Sequence, residues 1–135
     1  MHILRKRKDG GKTSPVDAYF LCEFKNLFSV ALLKFNKGGR EEYHTHAFDA
    51  YTIFLKGNLV EEDVDGSEHI YRRGKLKFTP KSKNHRVSAK EDSWCFTLRG
   101  PWVDSWTEYN VKDNLTTFFT HGRKVVHKCL GVYSK

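Results

Sequence analysis

Two runs decide how this chain is read: Gly39-Arg40-Glu41-Glu42-Tyr43-His44-Thr45-His46-Ala47-Phe48-Asp49, and Gly74-Lys75-Leu76-Lys77-Phe78-Thr79-Pro80-Lys81-Ser82-Lys83-Asn84-His85. On an extended strand, residues two apart project to the same face, so His44 and His46 can reach one ion. His85 opens a later strand and is the third candidate. Neutral imidazole suits Fe, Zn, Ni, Cu and Mn. Three protein ligands with positions left open are the usual build of a catalytic metal site. His44, His46 and His85 are therefore candidate metal ligands, and exposed or core histidines are the alternative that the residues alone leave open.

The surrounding chain reads as β. Phe28 to Phe35 is apolar and strand-sized, and Lys37-Gly38-Gly39 is a turn. Tyr51 to Leu55 is a strand stopped by Gly57-Asn58. Leu59 to Val64 pairs with His69 to Arg72 across Asp65-Gly66, a hairpin signal. Leu76 to Thr79 ends at Pro80, and Arg86 to Ala89 and Trp94 to Arg99 flank a polar turn. Thr116 to Thr120 and Arg123 to Lys128 flank His121-Gly122 as a further hairpin. Many short strands between turn residues predict a sandwich or barrel rather than a parallel α/β sheet. One stretch stays open. Ser14-Pro15 is a helix start, which predicts a short N-terminal helix over Val16 to Phe24, yet the same residues are aromatic enough for a strand. Residues 1–13 are expected to form a flexible basic arm, and residues 14–135 a single domain.

A length of 135 residues favours one domain with a real core. Aromatic residues at 14% and only three prolines exclude a disordered or low-complexity chain. No apolar run reaches the length of a membrane span. The basic N-terminus lacks a following apolar stretch, so no secretory signal is expected. Cys22, Cys95 and Cys129 are an odd number at wide spacing. They read as buried structural thiols in a reducing cytoplasm rather than as a disulfide framework.

The net charge of +8 is unevenly spread. Arg72, Arg73, Lys75, Lys77, Lys81, Lys83, Arg86 and Lys90 form a run without an acid, and Arg5 to Lys8 with Lys12 form a second cluster. The acids gather at Glu61, Glu62, Asp63, Asp65 and Glu68. Such segregation predicts either an anionic ligand at one face or ordinary solvated strand faces.

The spacing of glycine, His-x-His and closing glycine, followed by Gly74, five residues, Pro80, Ser82 and His85, resembles the two motifs of the cupin superfamily. His44 to Asp49, Lys83 to Val87 and Arg99-Gly100-Pro101-Trp102-Val103-Asp104-Ser105-Trp106 resemble blocks found in small cupins of phage and bacterial genomes. The resemblance implies an all-β fold, a cupin-type double-stranded β-helix or RmlC-like jelly-roll barrel, and a homodimer paired through edge strands. It also implies a metal centre. The glutamate of the first motif would fall at Ala50 or Tyr51, so the site reads as three histidines, with Asp49 as a fourth ligand or a partner orienting one of them.

In such a barrel a divalent metal is the expected cofactor, Fe(II) first and otherwise Mn, Ni or Zn. Three histidines on Fe(II) leave positions for substrate and dioxygen, which is dioxygenase-like chemistry. Tyr51, if turned inward, and Arg99, if facing the interior, are the candidate ligand-binding side chains; the Arg99 fork suits a carboxylate or phosphate. Their alternatives are a core aromatic and an exposed strand end. Trp102 and Trp106 read as a barrel cap or a platform for a flat ligand. His2, His69, His121 and His127 read as surface residues, and no catalytic residue can be named. Three functions are weighed: a metal-dependent oxygenase for a polar or anionic small molecule, a non-catalytic pocket for a phosphorylated metabolite or nucleotide, and, least favoured, a nucleic-acid-associated protein.

Overall fold

The computed structural model of the chain describes residues 2–9, 14–39 and 42–132. Its strands in chain order are β1 (His2–Lys8), β2 (Val16–Phe24), β3 (Phe28–Phe35), β4 (Gly38–Gly39), β5 (Tyr43–His44), β6 (Ala50–Lys56) and β7 (Asn58–Asp63). They continue as β8 (Glu68–Arg72), β9 (Leu76–Thr79), β10 (His85–Ala89), β11 (Ser93–Arg99), β12 (Trp106–Asn110), β13 (Leu115–Thr120) and β14 (Lys124–Leu130). One sheet has the order β1-β2-β3-β11-β6-β9; the other runs β14-β13-β12-β5-β10-β7-β8, with β4 also on β10. All the pairings are antiparallel. The result is an all-β jelly roll, with no α-helix among the described residues.

The expected N-terminal helix is instead strand β2. Val16, Ala18 and Phe20 alternate inward, with Asp17 and Tyr19 between them. That period of two lets β2 pair with β1 on one side and β3 on the other, and the ladders override the local helix signal. Ser14 does accept a bond from the Val16 amide at 3.2 Å, but its hydroxyl donates to the Asp9 carbonyl at 2.6 Å and so opens a strand. Residues 2–8, expected within a flexible arm, form β1 in register with β2 from Glu23 to Asp17. Residues 10–13 of that expected arm lie outside the described residues. Gly38 and Gly39, expected as a turn, pair as β4 with Ala89 and Ser88.

The main core draws on both sheets: Val16, Phe20, Leu33, Phe54 and Cys95 from one, Leu59 and Ala89 from the other. A smaller cluster of Ala47, Phe48 and Ala50 packs under Trp102 and Trp106. Buried polar and charged residues are nearly as many as buried apolar ones, among them Glu23, Glu61, His85 and Arg99. A barrel filled this way is built around a site rather than around packing alone. Gly57 joins β6 to β7 at φ +99, and a Cβ there would lie 2.7 Å from the Ser93 Cα. Only glycine fits both demands.

Candidate metal centre

His44 and His85 are directly opposite each other on the β5–β10 pair, which sets their side chains on one face. His46 follows in extended chain, its amide donating to the Lys81 carbonyl at 3.1 Å. Thr45 turns the other way and meets Thr107 through their hydroxyls at 3.0 Å. The three imidazoles form a triangle with centroids 4.8, 5.0 and 5.1 Å apart. One nitrogen from each lies within 4.8 Å of the others. The Nε2 atoms of His46 and His85 are 2.9 Å apart. Two nitrogens bound to one ion at about 2.1 Å, at a right angle, are separated by about 3 Å, so this pair fits a shared metal.

Glu61, fully buried on β7, explains why His85 offers Nε2. A carboxylate only accepts, so His85 donates to it from Nδ1 and the Nε2 lone pair faces His46. Glu61 also accepts from Lys77, from Tyr71 at 3.3 Å and from Lys83 at 3.1 Å. Burial alone would push Glu61 up. The hydrogen bonds and charges of His85 and Lys77 instead hold it far below the usual carboxylate range. Burial pushes His46 well below the ordinary imidazole value, and the charge of His85 adds to this. Burial also lowers His85, against the opposing pull of Glu61. Lys77 belongs to β9 in the other sheet, so the Glu61 cluster ties the two sheets together behind the histidines.

Two spaces meet at His44 and His46. A cleft of about 520 Å³ opens outward past Phe48, Trp102 and Trp106, with Arg7, Lys25 and Arg123 on its walls. A narrower cavity of about 100 Å³ runs into the barrel beside His85, Cys95, Thr97 and Arg99. Arg99 is buried and faces this interior, where Asp9 takes its guanidinium at 2.6 and 3.2 Å. The rings of Phe48 and Phe20 sandwich it at 4.5 and 5.5 Å. Arg7 is held by Glu23 and Arg123 by Glu108. Lys25 instead lies over Trp102, 4.5 Å from the ring centre. Trp102 and Trp106 meet edge to face at 5.5 Å, so they both pack the smaller core and wall the cleft.

A family model described as a cupin domain matches residues 31–98, about half of the chain. This chain belongs to the cupin family. No match was found among curated proteins. Among solved structures, it resembles a cupin-superfamily sugar phosphate isomerase from Silicibacter pomeroyi: 15% identity over 92% of this chain and 88% of that one, TM-score 0.64. It also resembles an RmlC-like cupin from Shewanella frigidimarina, with 18% identity over 73% and 84%, TM-score 0.57. Ectoine synthase from P. lautus is similar at 16% identity over 67% of each chain, TM-score 0.57. At these identities the likeness is one of fold.

Within the cupin barrel the sequence-predicted residues part company. Asp49 does not join the three histidines; its Oδ1 accepts from the Lys81 amide at 2.7 Å and pins the second motif against the first. Tyr51 corrects a sequence expectation: it is turned outward, 56% exposed, against Phe78. Strand parity causes this, because Ala50 and Thr52 take the inward positions of β6. Cys95 is buried and its thiol is pushed up to about 12 by burial, while Cys22 and Cys129 are half-buried, and all three are free. Three of the eight residues of the basic run are matched by acids. Lys77 and Lys83 bind Glu61, and Arg86 binds Glu62 at 3.0 Å. His121 stacks on Trp102 and His127 tilts on Phe118. Glu61 and Asp9 escaped the sequence reading. Parity offered a signal for Glu61, since a strand that buries Leu59 also buries the residue two later.

No helix among the described residues is long and apolar enough to cross a membrane.

Proposed function

We propose that this cupin is a small non-haem metal-dependent oxygenase acting on a polar or anionic small molecule. The observation that carries the reading is the convergence of His44, His46 and His85, the first two of which reach the outward cleft. A divalent ion held by these three residues, Fe(II) first and otherwise Mn, Ni or Zn, would supply Lewis-acid and redox chemistry. Glu61 keeps the His85 ring in one tautomer and one orientation. Lys25 on the wall supplies positive charge for a carboxylate or phosphate, and Trp102 and Trp106 supply flat apolar faces and exclude water. Arg99 adds an inward guanidinium whose charge is already matched by Asp9, so it shapes the inner cavity and leaves the cleft wall to the substrate's anion.

The test is elemental mass spectrometry on untagged protein beside His46→Ala. Near-stoichiometric metal lost in the variant is expected, followed by oxygen uptake with small thiols, amino acids and 2-oxo acids after Fe(II) loading. A protein that takes up no metal under anaerobic Fe(II) loading overturns the oxygenase reading. A second reading, a non-catalytic pocket for a phosphorylated metabolite, is supported by the cations around the cleft. It predicts ligand binding without oxygen uptake. The proposed setting is the cytoplasm.

A further inference from the structure

The fold sorts the basic run from Arg72 to Lys90 into two groups. Lys77, Lys83 and Arg86 lie around His85 and take Glu61 and Glu62. Arg72, Arg73, Lys75 and Lys90 gather at the other end of the barrel. His85 opens β10 and Lys90 follows its last residue, about 17 Å away along an extended strand. Asn58 on β7 lies between two of these cations. It pairs with Arg72 on β8, and its carbonyl accepts from the Lys90 amide at 3.0 Å. Arg72 and Lys90 are therefore two strand spacings apart, about 10 Å.

Two lysines from outside the run join them. Lys56 ends β6, and Lys37 follows β3. The turn carrying Arg73 and Lys75 is pinned to β6: the Gly74 amide donates to the Phe54 carbonyl at 2.7 Å, and the Phe54 amide to the Lys75 carbonyl at 2.9 Å. The Lys37 amide donates to Asp92 at 2.8 Å, which fastens its turn beside Lys90. All six cations are exposed, and no ion pair holds any of them among the described residues. The acids that share these turns are Glu91 and Asp92, both exposed. The rim thus keeps four net positive charges, half of the chain's +8.

We propose that this rim binds the phosphodiester backbone of a nucleic acid. The histidine site plays no part in it. The cations stand on separate turns around the end of the barrel and do not converge on one pocket, so a lone phosphate would meet only one or two of them. Each strand of a duplex carries one charge per ~3.4 Å of axis, so the spacing from Arg72 to Lys90 spans about three phosphates. The planar forks of Arg72 and Arg73 suit phosphate oxygens, taken two at a time. The six side chains include no aromatic platform for a base, so the contact is to the backbone and indifferent to sequence. An anionic membrane also attracts cations, but stable docking there adds an amphipathic helix or an acyl chain. No α-helix is present among the described residues.

Fluorescence anisotropy on the full chain tests this, with short labelled duplexes of two unrelated sequences, in DNA and in RNA form. Binding of either form is expected, equal for the two sequences. With about four phosphates neutralised, affinity should fall about 100-fold between roughly 50 and 200 mM salt. Arg72→Gln with Arg73→Gln should weaken binding on the order of tenfold and lower the salt slope by about 2. Neither side chain makes a bond within the chain, so circular dichroism and metal content should match wild type. Lys124→Gln with Lys128→Gln removes two exposed charges from β14, at the far edge of the other sheet, and should change binding less than about twofold. No binding of any duplex at the lowest salt, or binding unmoved by the arginine substitutions, overturns the proposal. So does an equal loss in the Lys124 and Lys128 variant, or tighter binding to phosphatidylserine vesicles than to either duplex.

Discussion

Two buried charge clusters flank the three histidines, and they do different work. Behind His85, Glu61 gathers a histidine, two lysines and a tyrosine, with its carboxylate fully buried. On the far side of the chamber, Arg99 meets the single carboxylate of Asp9, which is 26% open to solvent. The first cluster grips an imidazole directly. The second holds the end of β1 against β11, ninety positions apart in sequence, and touches no histidine through a hydrogen bond. One orients the site and the other encloses it. Both place opposite charges in the barrel interior, where an unpaired charge costs far more than at the surface.

The sharpest way to break this comparison is Glu61→Ala. It leaves Lys77 buried without its carboxylate and should cost about 3–5 kcal/mol in urea unfolding. The milder Glu61→Gln should weaken metal binding about 10- to 100-fold in a competition titration, because the His85 ring loses its anionic partner. Metal affinity unchanged in Glu61→Gln would erase the distinction between the clusters.

Arg99→Met is the matching change on the other side. It strands Asp9 only partly in the interior, so the expected loss is smaller, about 2–3 kcal/mol, with metal affinity within twofold of wild type. A large loss of metal here would mean that Arg99 also orients the histidines.

Acid should weaken the enclosing pairs together with the Glu61 cluster. Burial alone would raise Asp9 and Glu23, but the charge and hydrogen bonds of Arg99 and Arg7 hold them below the ordinary carboxylate value. The unfolded chain therefore takes up protons first as pH falls. Their stabilisation is complete above the unfolded value near pH 4 and is lost as pH drops from there toward the folded values. Urea unfolding at pH 6 and pH 3 should show the drop, and Arg7→Met with Arg99→Met should reduce it while Glu61 keeps its own share.

The smallest effect belongs to the carboxylate that the motif singled out. Asp49→Asn should cost about 1 kcal/mol, through the bond to the Lys81 amide, and leave bound metal unchanged. Elemental analysis of the variant checks this, and loss of metal would put Asp49 back among the ligands.

Much of the barrel was legible because short-range chemistry dictates it. Asp65-Gly66 fixes the β7–β8 hairpin and Pro80 ends β9. The sequence expectation for the histidine trio needed only strand parity and the two motif spacings. The stretch from Val16 to Phe24 was ambiguous because Ser14-Pro15 is a local signal, while strand β2 depends on partners on both sides. Strand β12 was missed because Trp106 to Asn110 is ordered by pairing with β13 and β5.

By itself the sequence determined the β-rich class, the turn positions and which imidazoles share a face, since periodicity and turn stereochemistry act over a few residues. Tertiary structure alone decided which charges meet. In the chain the acids from Glu61 to Glu68 and the bases from Arg72 to Lys90 are separate blocks. In the barrel Glu61 takes Lys77 and Lys83 while Glu62 takes Arg86. It also decided that Tyr51 faces outward and that Asp9 reaches Arg99. Burial makes the pairing of Glu61 obligatory, and burial is a property of the closed barrel rather than of any segment within it.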